Sequence, residues 1–512
     1  MKRTKKTLLS LLSLTSVILT GCGSQTSEPT SEVEVIWWNN YIKPNNNKTE
    51  EENRKDKTFH EYFFAKDVID AFEKEHPNIK ISMEYKGNYK AIADACKAGL
   101  GTGNLPTMAS TYQDDVATYV ENDVAYDMTS LAAGLENDAD FNQNFLAIEK
   151  DAYQGKYFSL PYSKSGETFV INQSVFDLEG EGKAGFNNNF GYTAPQSIAT
   201  KEAYVLPENM FEMADIARKM KTDFPEVFSE QKDSQGYFKA VPFCYESGAN
   251  MLITLFKDAG IAYTDGSGKN ASEKYLWNNQ QAKDLVIQLK RWNDEGLICT
   301  RNQLVKTVND KHKYAADLFN EGKMFMCVTS TDGPRYFAND GHLASMNHLL
   351  NWGTNSKAKD AFVLSQGPSL TFFINRNEKV NEAAFTFYQF LTNKENTAEF
   401  SAQTSYFPLR ESAYQTEQLK EIVSASNTAD VHSSVETKSN DYTGQVFQLN
   451  HSYSTNNNYY ISDAFDGSSL SRVCIDGLID EVFNKTVDEN NSVEKIVDTA
   501  FDNAFRKLTT LA

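Results

Sequence analysis

Strand-like and helix-like segments alternate through the first part of the chain after residue 32. The runs 33–38, 79–85 and 107–112 have the apolar or alternating pattern of β-strands. Between them, 64–72 and 89–100 place apolar residues at helical spacing. This order predicts an α/β fold in which a parallel sheet is covered by helices on both faces. In such a sheet, ligands bind at the carboxyl ends of the strands.

The rest of the chain continues this alternation. Further strands are predicted at 156–160, 168–172, 239–243, 323–328 and 370–374. Further helices are predicted at 208–221, 250–259, 280–295, 313–321, 380–392, 470–484 and 492–508. The segment 418–458 is rich in Ser, Thr and Asn, and is predicted to be a long surface excursion with some helix. With 512 residues and 40% hydrophobic residues, the chain can fill the cores of two large or three smaller domains.

The first 21 residues have the pattern of a secretion signal. A basic segment at 2–6 precedes residues 8–20, which contain only Leu, Ser, Thr, Val and Ile. A helix of this length spans ~20 Å, less than the hydrocarbon core of a membrane, so 1–21 is predicted to be a signal peptide. The sequence Leu-Thr-Gly-Cys at 19–22 resembles the bacterial lipoprotein signal. That resemblance implies acylation of Cys22 and a polar tether over 22–32, the alternative being an ordinary signal with a chance cysteine.

The charge and the motifs exclude several classes of function. The net charge is −19, and loss of 1–21 leaves 491 residues with a charge of −23. Such an acidic chain repels polyphosphates, so nucleic acid is not an expected partner. The sequence contains no His-Glu-x-x-His, Gly-x-Ser-x-Gly or phosphate-binding Gly-x-x-x-x-Gly-Lys-Ser/Thr motif. We therefore predict neither a catalytic centre, nor a metal, nor a cofactor.

Five cysteines follow Cys22, at positions 96, 244, 299, 327 and 474. An odd number in an exported protein argues against a complete disulfide framework. We expect buried free thiols, with one disulfide as the alternative.

Several short motifs resemble those of the extracellular solute-binding proteins of bacterial ABC importers, in the family that binds carbohydrates. They occur in the family's order over about 33–508. They are Phe-Glu-Lys-Glu-His-Pro-Asn-Ile-Lys-Ile at 72–81, Gly-Asn-Leu-Pro at 103–106, Gly-Lys-Tyr-Phe-Ser-Leu-Pro at 155–161, Phe-Asn-Glu-Gly-Lys-Met-Phe-Met at 319–326 and Thr-Ser-Tyr-Phe-Pro-Leu-Arg at 404–410. Thr107 stands where the family usually has Asp after the second motif. The segment 85–89 and Tyr406 are most similar to the glycerol-3-phosphate-binding branch.

The resemblance implies a two-lobed, type II periplasmic-binding-protein-like fold. Each lobe would be a parallel-rich sheet flanked by helices, and a hinge would join the lobes. We expect lobe 1 to comprise 33–164 and 331–368, and lobe 2 to comprise 165–330 and 369–512. The hinge crossings implied by the resemblance fall near 163–167, 329–332 and 367–369.

The resemblance also implies a set of ligand-binding residues. Carried over from the glycerol-3-phosphate branch, they are Tyr89, Gln113, Ser165, Ser330, Gly367 and Tyr406. The branch has Glu in place of Gln113, and its late phosphate-facing Arg matches only loosely, at Arg472, so a neutral sugar is favoured over a phosphodiester. Sugars present apolar ring faces, which suit aromatic platforms. Trp37 and Trp38 end the first strand, and we expect at least one of them to contact the ligand.

These observations predict a monomeric, lipid-anchored receptor on the outer face of the cell membrane. It would capture an extracellular carbohydrate or glycerol-phosphate-like solute by closure of its lobes and deliver it to the membrane permease. Its partners would be that ligand, the permease subunits and the membrane that holds the lipid on Cys22. The alternatives are a secreted hydrolase that acts on glycans and a surface adhesin lipoprotein that has lost transport.

Overall fold

The computed structural model describes residues 32–44, 47–151, 153, 155–176 and 204–511. The predicted signal peptide 1–21, the lipidation site Cys22 and the tether up to residue 31 lie outside the described residues. Within the described ranges, no helix has both the length and the apolar character needed to cross a membrane.

Two five-stranded sheets organise the molecule. The strands are β1 Val33–Asn39, β2 Ile79–Tyr85, β3 Met108–Thr111, β4 Ser159–Pro161, β5 Glu167–Asn172, β6 Phe243–Tyr245, β7 Ile298–Thr300, β8 Met326–Ser330, β9 Ala344–Asn347, β10 Val363–Leu364, β11 Ser369–Phe372 and β12 Tyr459–Tyr460. Sheet 1 has the order β2-β1-β3-β11-β4, and sheet 2 has the order β7-β6-β8-β5-β9. In each sheet three neighbouring strands are parallel, and β11 or β5 then continues the sheet in antiparallel orientation. The short strands β10 and β12 pair with each other.

Helices cover both sheets. The α-helices span Glu50–Arg54, His60–Glu75, Tyr89–Gly99, Gln113–Glu121, Thr129–Glu136, Gln143–Asp151, Gln173–Phe176, Met210–Asp223, Pro225–Phe228, Gly248–Asp258, Ala271–Lys274, Gln280–Asp294, Ala315–Asn320, Glu378–Leu391, Lys394–Thr404, Glu417–Ala425, Val435–Thr455, Ser468–Asn484 and Val493–Leu511. The helical spacing of Phe64, Val68 and Phe72 gives helix His60–Glu75 one apolar face, which is buried. The ring of Phe72 lies 5.1 Å from that of Phe387 on helix Glu378–Leu391, on the same side of sheet 1. The α/β fold with two helix-flanked sheets is therefore confirmed.

The strand pairing corrects the expected division between lobes. We call sheet 1 with its helices lobe 1, and sheet 2 with its helices lobe 2. The segment 331–368 was expected in lobe 1, but its strand β9 pairs with β5 in sheet 2. The segment 369–512 was expected in lobe 2, but its first strand, β11, lies between β3 and β4 in sheet 1. The later helices of that segment, Val435–Thr455, Ser468–Asn484 and Val493–Leu511, do pack against β9 and against helices of lobe 2. The physical reason is that the chain stays in sheet 2 from β8 to β9 and crosses to sheet 1 only at 365–368.

The expected hinge crossing at 329–332 is also corrected. The backbone N–H of Thr331 donates to the carbonyl of Gly166 at 3.1 Å, and the Thr331 hydroxyl accepts from the Gly166 N–H at 3.0 Å. These bonds hold the loop after β8 against the crossing from β4 to β5. The loop therefore lies beside the hinge without crossing it.

The polar segment 418–458 is more ordered and more buried than expected. Most of it forms helices Glu417–Ala425 and Val435–Thr455. Tyr442, Val446, Leu449 and Tyr453 recur at helical spacing and form a buried stripe within the polar sequence. The buried Asp441 accepts hydrogen bonds from the N–H groups of 427 and 429, so its charge is satisfied. The helical spacing of its apolar residues, rather than its mean polarity, therefore determines that this segment is helical and buried.

The cysteines of the described residues are free and buried, as expected. Cys244 on β6 lies in register with Cys299 on β7 and Cys327 on β8, so three thiols stand side by side across sheet 2. Burial raises the pKa of the Cys244 and Cys327 thiols, which lowers their thiolate content.

We predict that none of the five buried thiols reacts with Ellman's reagent in the native protein. Burial removes both access and thiolate, which are the two requirements of the reaction. In denaturant without reductant, the five thiols at 96, 244, 299, 327 and 474 should all react. A count that rises only after reduction would reveal a disulfide and contradict the prediction.

Candidate ligand-binding cleft

Two crossings of the chain, which we call the hinge, connect the two sheets. The chain passes from β4 to β5 through 162–166 and returns from β10 to β11 through 365–368. Ser165 and Gln366 exchange backbone hydrogen bonds of 3.0 and 2.8 Å, so the two crossings form a short ribbon. Gly367 has a φ of +82°, and a Cβ at this position would lie 1.7 Å from the Ser163 carbonyl oxygen. Only glycine fits this close approach.

A buried polar network supports the hinge from the side of lobe 1. The carboxylate of Glu149 pairs with the Lys164 ammonium at 2.9 Å, and both side chains are fully buried. Glu149 also accepts hydrogen bonds from Gln113 at 2.6 Å, from Ser159 at 2.6 Å and from Ser369. The Gln113 side chain is thereby fixed in the interior rather than in the cleft.

The carboxyl edge of sheet 1 carries a cluster of three tyrosines, Tyr89, Tyr112 and Tyr406, which we call the tyrosine cluster. Tyr89 begins the helix after β2, and Tyr112 follows β3 directly. Their rings lie 5.4 Å apart at 85°, and the hydroxyls of Tyr89 and Tyr406 are 3.4 Å apart. The ring of Tyr406 stacks on Phe400 at 5.6 Å, which holds it at the cleft. Asn88 caps the helix that begins at Tyr89.

The carboxyl edge of sheet 2 forms the opposite wall. It contains a cavity of about 510 Å³. Its lining comprises Glu246, Tyr314, Ala316, Asp317, Thr329, Ser330, Asp332, Gly333, Tyr336 and Phe337. Tyr314 and Tyr336 are about half exposed, and the Arg301 guanidinium lies 3.5 Å from the Tyr314 ring centroid. Both tyrosines therefore keep ring surface available beside the cavity.

Hydrogen bonds hold the two walls beside the same chain crossing. The Phe407 N–H donates to the Lys164 carbonyl at 2.8 Å and the Thr331 N–H donates to the Gly166 carbonyl at 3.1 Å, so Tyr406 of lobe 1 and Asp332 of lobe 2 both lie next to 164–166. The Arg335 guanidinium of lobe 2 also donates to the Gln403 carbonyl of lobe 1.

Burial raises the pKa of Tyr406, and the charges of Asp332 and Glu61 add to the shift. Burial and then the Asp332 carboxylate raise the pKa of Glu61 to about 7. Glu61 and Tyr406 belong to lobe 1, whereas Asp332 follows β8 of lobe 2.

A second set of charges lies at the base of the cleft, next to the hinge. Glu167 is buried and accepts hydrogen bonds from Tyr245 and Asn250, each at 2.8 Å. Burial raises the pKa of Glu167 to about 7, although these bonds and Arg472 oppose the shift. Arg472 donates to the Asn250 side-chain oxygen. Burial raises the pKa of the Asp114 carboxyl, and the nearby Arg472 guanidinium opposes this shift.

The structure divides the predicted site residues into three groups. Tyr89, Ser330 and Tyr406 lie on the two walls of the cleft. Gln113, Ser165 and Gly367 belong to the hinge and its buried support, where each is buried. The two tryptophans form the third group.

Trp37 and Trp38 lie in the core of lobe 1, which corrects the expectation that one of them contacts a ligand. Trp37 is fully buried, donates to Ser110 at 3.2 Å and packs against Tyr41. Trp38 is 6% exposed, and the Lys86 ammonium lies 4.4 Å from its ring centroid. The reason is that both faces of this part of sheet 1 are covered. Trp37 packs against Phe387 on one face, and Trp38 belongs to the apolar cluster with Ile92 and Val116.

The cleft also contains residues that the sequence analysis did not select. Glu61, Tyr112 and Asp332 are the main ones. Tyr112 and Asp332 follow strands β3 and β8, so a search for polar and aromatic residues just beyond strand ends would have found them. Glu61 has no such signal, because 20 residues separate β1 from helix His60–Glu75.

Comparisons with known proteins agree with this architecture. The family model described as bacterial extracellular solute-binding protein matches residues 67–427. The sn-glycerol-3-phosphate-binding periplasmic protein UgpB of Escherichia coli K12 is 23% identical over 349 residues, which cover 67% of this chain and 70% of that protein.

Solved structures show the same fold. The ABC substrate-binding protein Lmo0181 from Listeria monocytogenes, in complex with cycloalternan, superposes with a TM-score of 0.61 at 13% identity, covering 93% of this chain and 99% of that one. UgpB from Mycobacterium tuberculosis, in complex with glycerophosphocholine, has a TM-score of 0.59 at 14% identity, covering 94% and 98%. The expected type II periplasmic-binding-protein fold is therefore confirmed. Since the family model covers most of the chain, the protein belongs to the family of bacterial extracellular solute-binding proteins.

Proposed function

We propose that the protein is the substrate-binding lipoprotein of an ABC importer and that it captures a carbohydrate or a related polyol solute. One observation carries the proposal: residues that follow the strands of both sheets lie beside the same chain crossing, through the hydrogen bonds of Phe407 with Lys164 and of Thr331 with Gly166. An open α/β sheet binds ligands at its carboxyl edge, so a solute in the cleft would contact both lobes at once.

The chemistry of the cleft suits a sugar. The tyrosine cluster offers flat apolar ring surface, while Ser330 and the nearby carboxylates offer hydrogen-bond acceptors for hydroxyl groups. Relatives support this class of ligand, because their names include glycerol-3-phosphate and their structures contain cycloalternan and glycerophosphocholine. The protein returns its ligand unchanged and is not an enzyme.

Lobe closure is the proposed mechanism. A solute that contacts both walls is bound more tightly by the closed arrangement and so shifts the population toward it. Two hydrogen bonds join the lobes at one side of the cleft. The Thr118 hydroxyl donates to Asp466 at 3.0 Å, and the Ser468 hydroxyl donates to the Asp114 carbonyl at 3.3 Å. The closed form would then dock on the permease, while the lipid on Cys22 keeps the monomer at the outer face of the membrane.

Calorimetry tests this proposal directly. The purified mature protein is titrated with maltodextrins, chito-oligosaccharides, cycloalternan, glycerol-3-phosphate and glycerophosphocholine. We expect saturable heat with at least one of them and recovery of that ligand intact by mass spectrometry. Cleavage of the ligand would favour a hydrolase, and no heat with any compound would favour an adhesin.

Truncation of the tyrosine cluster should weaken binding of whichever solute gives heat. We expect Tyr406→Ala and Tyr89→Ala each to raise the Kd by about 10- to 100-fold, as loss of a buried aromatic contact typically does. Tyr126→Ala is the matched control, because the backbone N–H of Tyr126 donates to the Phe372 carbonyl at the opposite, amino-terminal edge of sheet 1, far from the cleft. Equal effects of the cleft and control variants would contradict the placement of the site.

A further inference from the structure

The chain between β12 and helix Ser468–Asn484 leaves lobe 2, contacts lobe 1 and returns to lobe 2. We call this segment, residues 461–469, the strap. It starts beside the hinge, because β12 pairs with β10 and the Ser365 N–H donates to the Tyr460 carbonyl at 2.9 Å. It leads into helix Ser468–Asn484, which packs against helix Gly248–Asp258 of lobe 2. The strap therefore lies next to the hinge without being one of its crossings.

One side of the strap is fixed to lobe 2. Asp463 accepts a hydrogen bond from the Gly266 N–H at 2.9 Å. The buried Phe465 ring lies 5.7 Å from the Tyr275 ring, and the Tyr275 hydroxyl donates to the Gly467 carbonyl at 3.4 Å. Gly467 has a φ of +100°, and a Cβ there would lie 2.3 Å from the Tyr275 hydroxyl oxygen, so glycine permits this contact. The strap must therefore move with lobe 2.

The other side of the strap forms hydrogen bonds with lobe 1. The Thr118 hydroxyl donates to the Asp466 carboxylate at 3.0 Å. The Asp466 N–H donates to the Glu121 carboxylate at 3.3 Å. The Ser468 hydroxyl donates to the Asp114 carbonyl at 3.3 Å. Three bonds thus join the strap to the single helix that follows β3.

An apolar contact and a lysine extend this interface. Ala464 packs against the apolar cluster of lobe 1 that contains Trp38. The Lys97 ammonium pairs with Asp115 at 2.7 Å and also reaches the Ser469 hydroxyl at 3.5 Å. The strap therefore meets lobe 1 through several groups rather than at a single point.

The contacts between the lobes lie on the cleft side of the molecule. Helix Gln113–Glu121 begins directly after β3, at the carboxyl edge of sheet 1. A further contact runs from Arg335, which follows β8 at the carboxyl edge of sheet 2, to the Gln403 carbonyl of lobe 1. Opening of the cleft moves these two edges apart and breaks such contacts. The contacts therefore favour a closed arrangement of the lobes.

All of these contacts are made by groups of the protein. Their free energy therefore acts on the equilibrium between open and closed lobes whether or not a solute occupies the cleft. If only the closed form binds the solute, the apparent Kd equals the intrinsic Kd divided by the closed fraction. Loss of one net hydrogen bond changes an equilibrium constant by about 2- to 10-fold. The strap can thus control affinity from outside the binding site.

We propose that the strap is a closing element: its contacts with lobe 1 shift the empty protein toward the closed arrangement and thereby tighten solute binding. The effect on affinity rests on the solute-binding function proposed above. The effect on lobe closure does not depend on that function.

Small-angle X-ray scattering of the purified mature protein without solute tests the closing effect. Thr118→Val and Asp466→Ala each remove the bond between these two side chains, and each should shift the ratio of open to closed molecules by about 2- to 10-fold toward the open form. The radius of gyration should therefore increase. Because both variants remove the same bond, the double variant should open the lobes no further than the larger single effect.

Two variants serve as matched controls. Asp466→Asn removes the charge but keeps a side-chain oxygen that can accept from Thr118, so its radius of gyration should equal that of the unchanged protein. Ser82→Ala removes a hydroxyl that donates to the Glu34 carboxylate at 2.5 Å within sheet 1. It should also leave the radius of gyration unchanged, because that bond does not join the lobes.

Calorimetry measures the consequence for binding. The probe is each compound that gives heat in the panel of maltodextrins, chito-oligosaccharides, cycloalternan, glycerol-3-phosphate and glycerophosphocholine. Thr118→Val and Asp466→Ala should raise its Kd by about 2- to 10-fold, whereas Asp466→Asn and Ser82→Ala should leave the Kd unchanged.

The outcomes separate this inference from the function on which its second part rests. An unchanged or smaller radius of gyration in Thr118→Val and Asp466→Ala, or an equal increase in Ser82→Ala, overturns the inference and leaves solute binding intact. A larger radius with an unchanged Kd overturns the control of affinity. A larger radius with no heat from any compound supports the closing effect and contradicts the proposed function.

Discussion

Replacing Glu149 with alanine is expected to lower the free energy of unfolding by about 3–5 kcal/mol. The substitution leaves the Lys164 ammonium fully buried without its counter-charge. It also deprives Gln113, Ser159 and Ser369 of their shared acceptor. Because unpaired buried polar groups keep their full desolvation cost, the loss should exceed that of any surface ion pair. Equilibrium unfolding in urea, followed by tryptophan fluorescence, measures it.

A surface pair serves as the control for this prediction. Asp94→Ala removes the exposed partner of Lys90 and should cost less than about 1 kcal/mol. The double variant Glu149→Leu/Lys164→Met removes both buried charges, so it should recover the part of the loss that arises from the unpaired Lys164 ammonium, while Gln113, Ser159 and Ser369 remain without their acceptor. A change of less than about 1 kcal/mol for Glu149→Ala would show that water reaches the pair, contrary to its burial.

Gly367→Ala is expected to cost about 2–4 kcal/mol in unfolding free energy, and to weaken ligand binding as well. The φ of +82° accounts for about 1 kcal/mol of the loss. The larger part arises because a Cβ would lie 1.7 Å from the Ser163 carbonyl oxygen, so the two hinge crossings must move apart. That movement changes the relative orientation of the lobes and hence the fit of the cleft to its solute.

Gly155 separates the two causes. Its φ is +89°, close to that of Gly367, but a Cβ there would meet no heavy atom within 4 Å. Gly155→Ala should therefore cost only the backbone term of about 1 kcal/mol and leave ligand affinity unchanged. Chemical denaturation and calorimetry of the two variants side by side give the comparison. Equal losses would mean that the hinge yields easily and that the close approach is unimportant.

Much of the fold follows from local sequence pattern. The first three strands and the helices between them were predictable because their apolar periodicity is strong and their turns contain Pro, Gly or Asn. The strand expected at 239–243 lies at Phe243–Tyr245 instead. Pro242 lacks an N–H group and cannot continue the ladder in that position, so the regular pairing begins after it.

The site was less predictable, because local pattern does not show which face of an element meets the cleft. Trp37 and Tyr112 both lie near the carboxyl end of a strand in sheet 1, yet only Tyr112 lies beyond the strand and outside the core. Gln113 directly follows Tyr112 at the carboxyl end of β3, but its side chain donates to the buried Glu149 carboxylate instead of entering the cleft. Glu149 meets Gln113 and Lys164, and Asp332 reaches the hinge, only because the fold brings together residues that are distant in sequence.

The insertion of β11 into the middle of sheet 1 has a consequence for the order in which the chain can fold as it emerges on the far side of a membrane. β4 pairs only with β11 in that sheet, and β11 is separated from β3 by more than 250 residues. Until residue 372 has emerged, the β3 edge of the three-stranded sheet β2-β1-β3 has no partner, whereas all five strands of sheet 2 have already emerged. The strands of sheet 2 can therefore pair before those of sheet 1 are complete, although helices Val435–Thr455, Ser468–Asn484 and Val493–Leu511 cover lobe 2 only after the rest of the chain has emerged. The late closure of the long loop between β3 and β11 should make completion of sheet 1 a slow step of folding. A newly exported molecule would spend this interval with an exposed strand edge, when helper proteins or a second unfinished copy could pair with it.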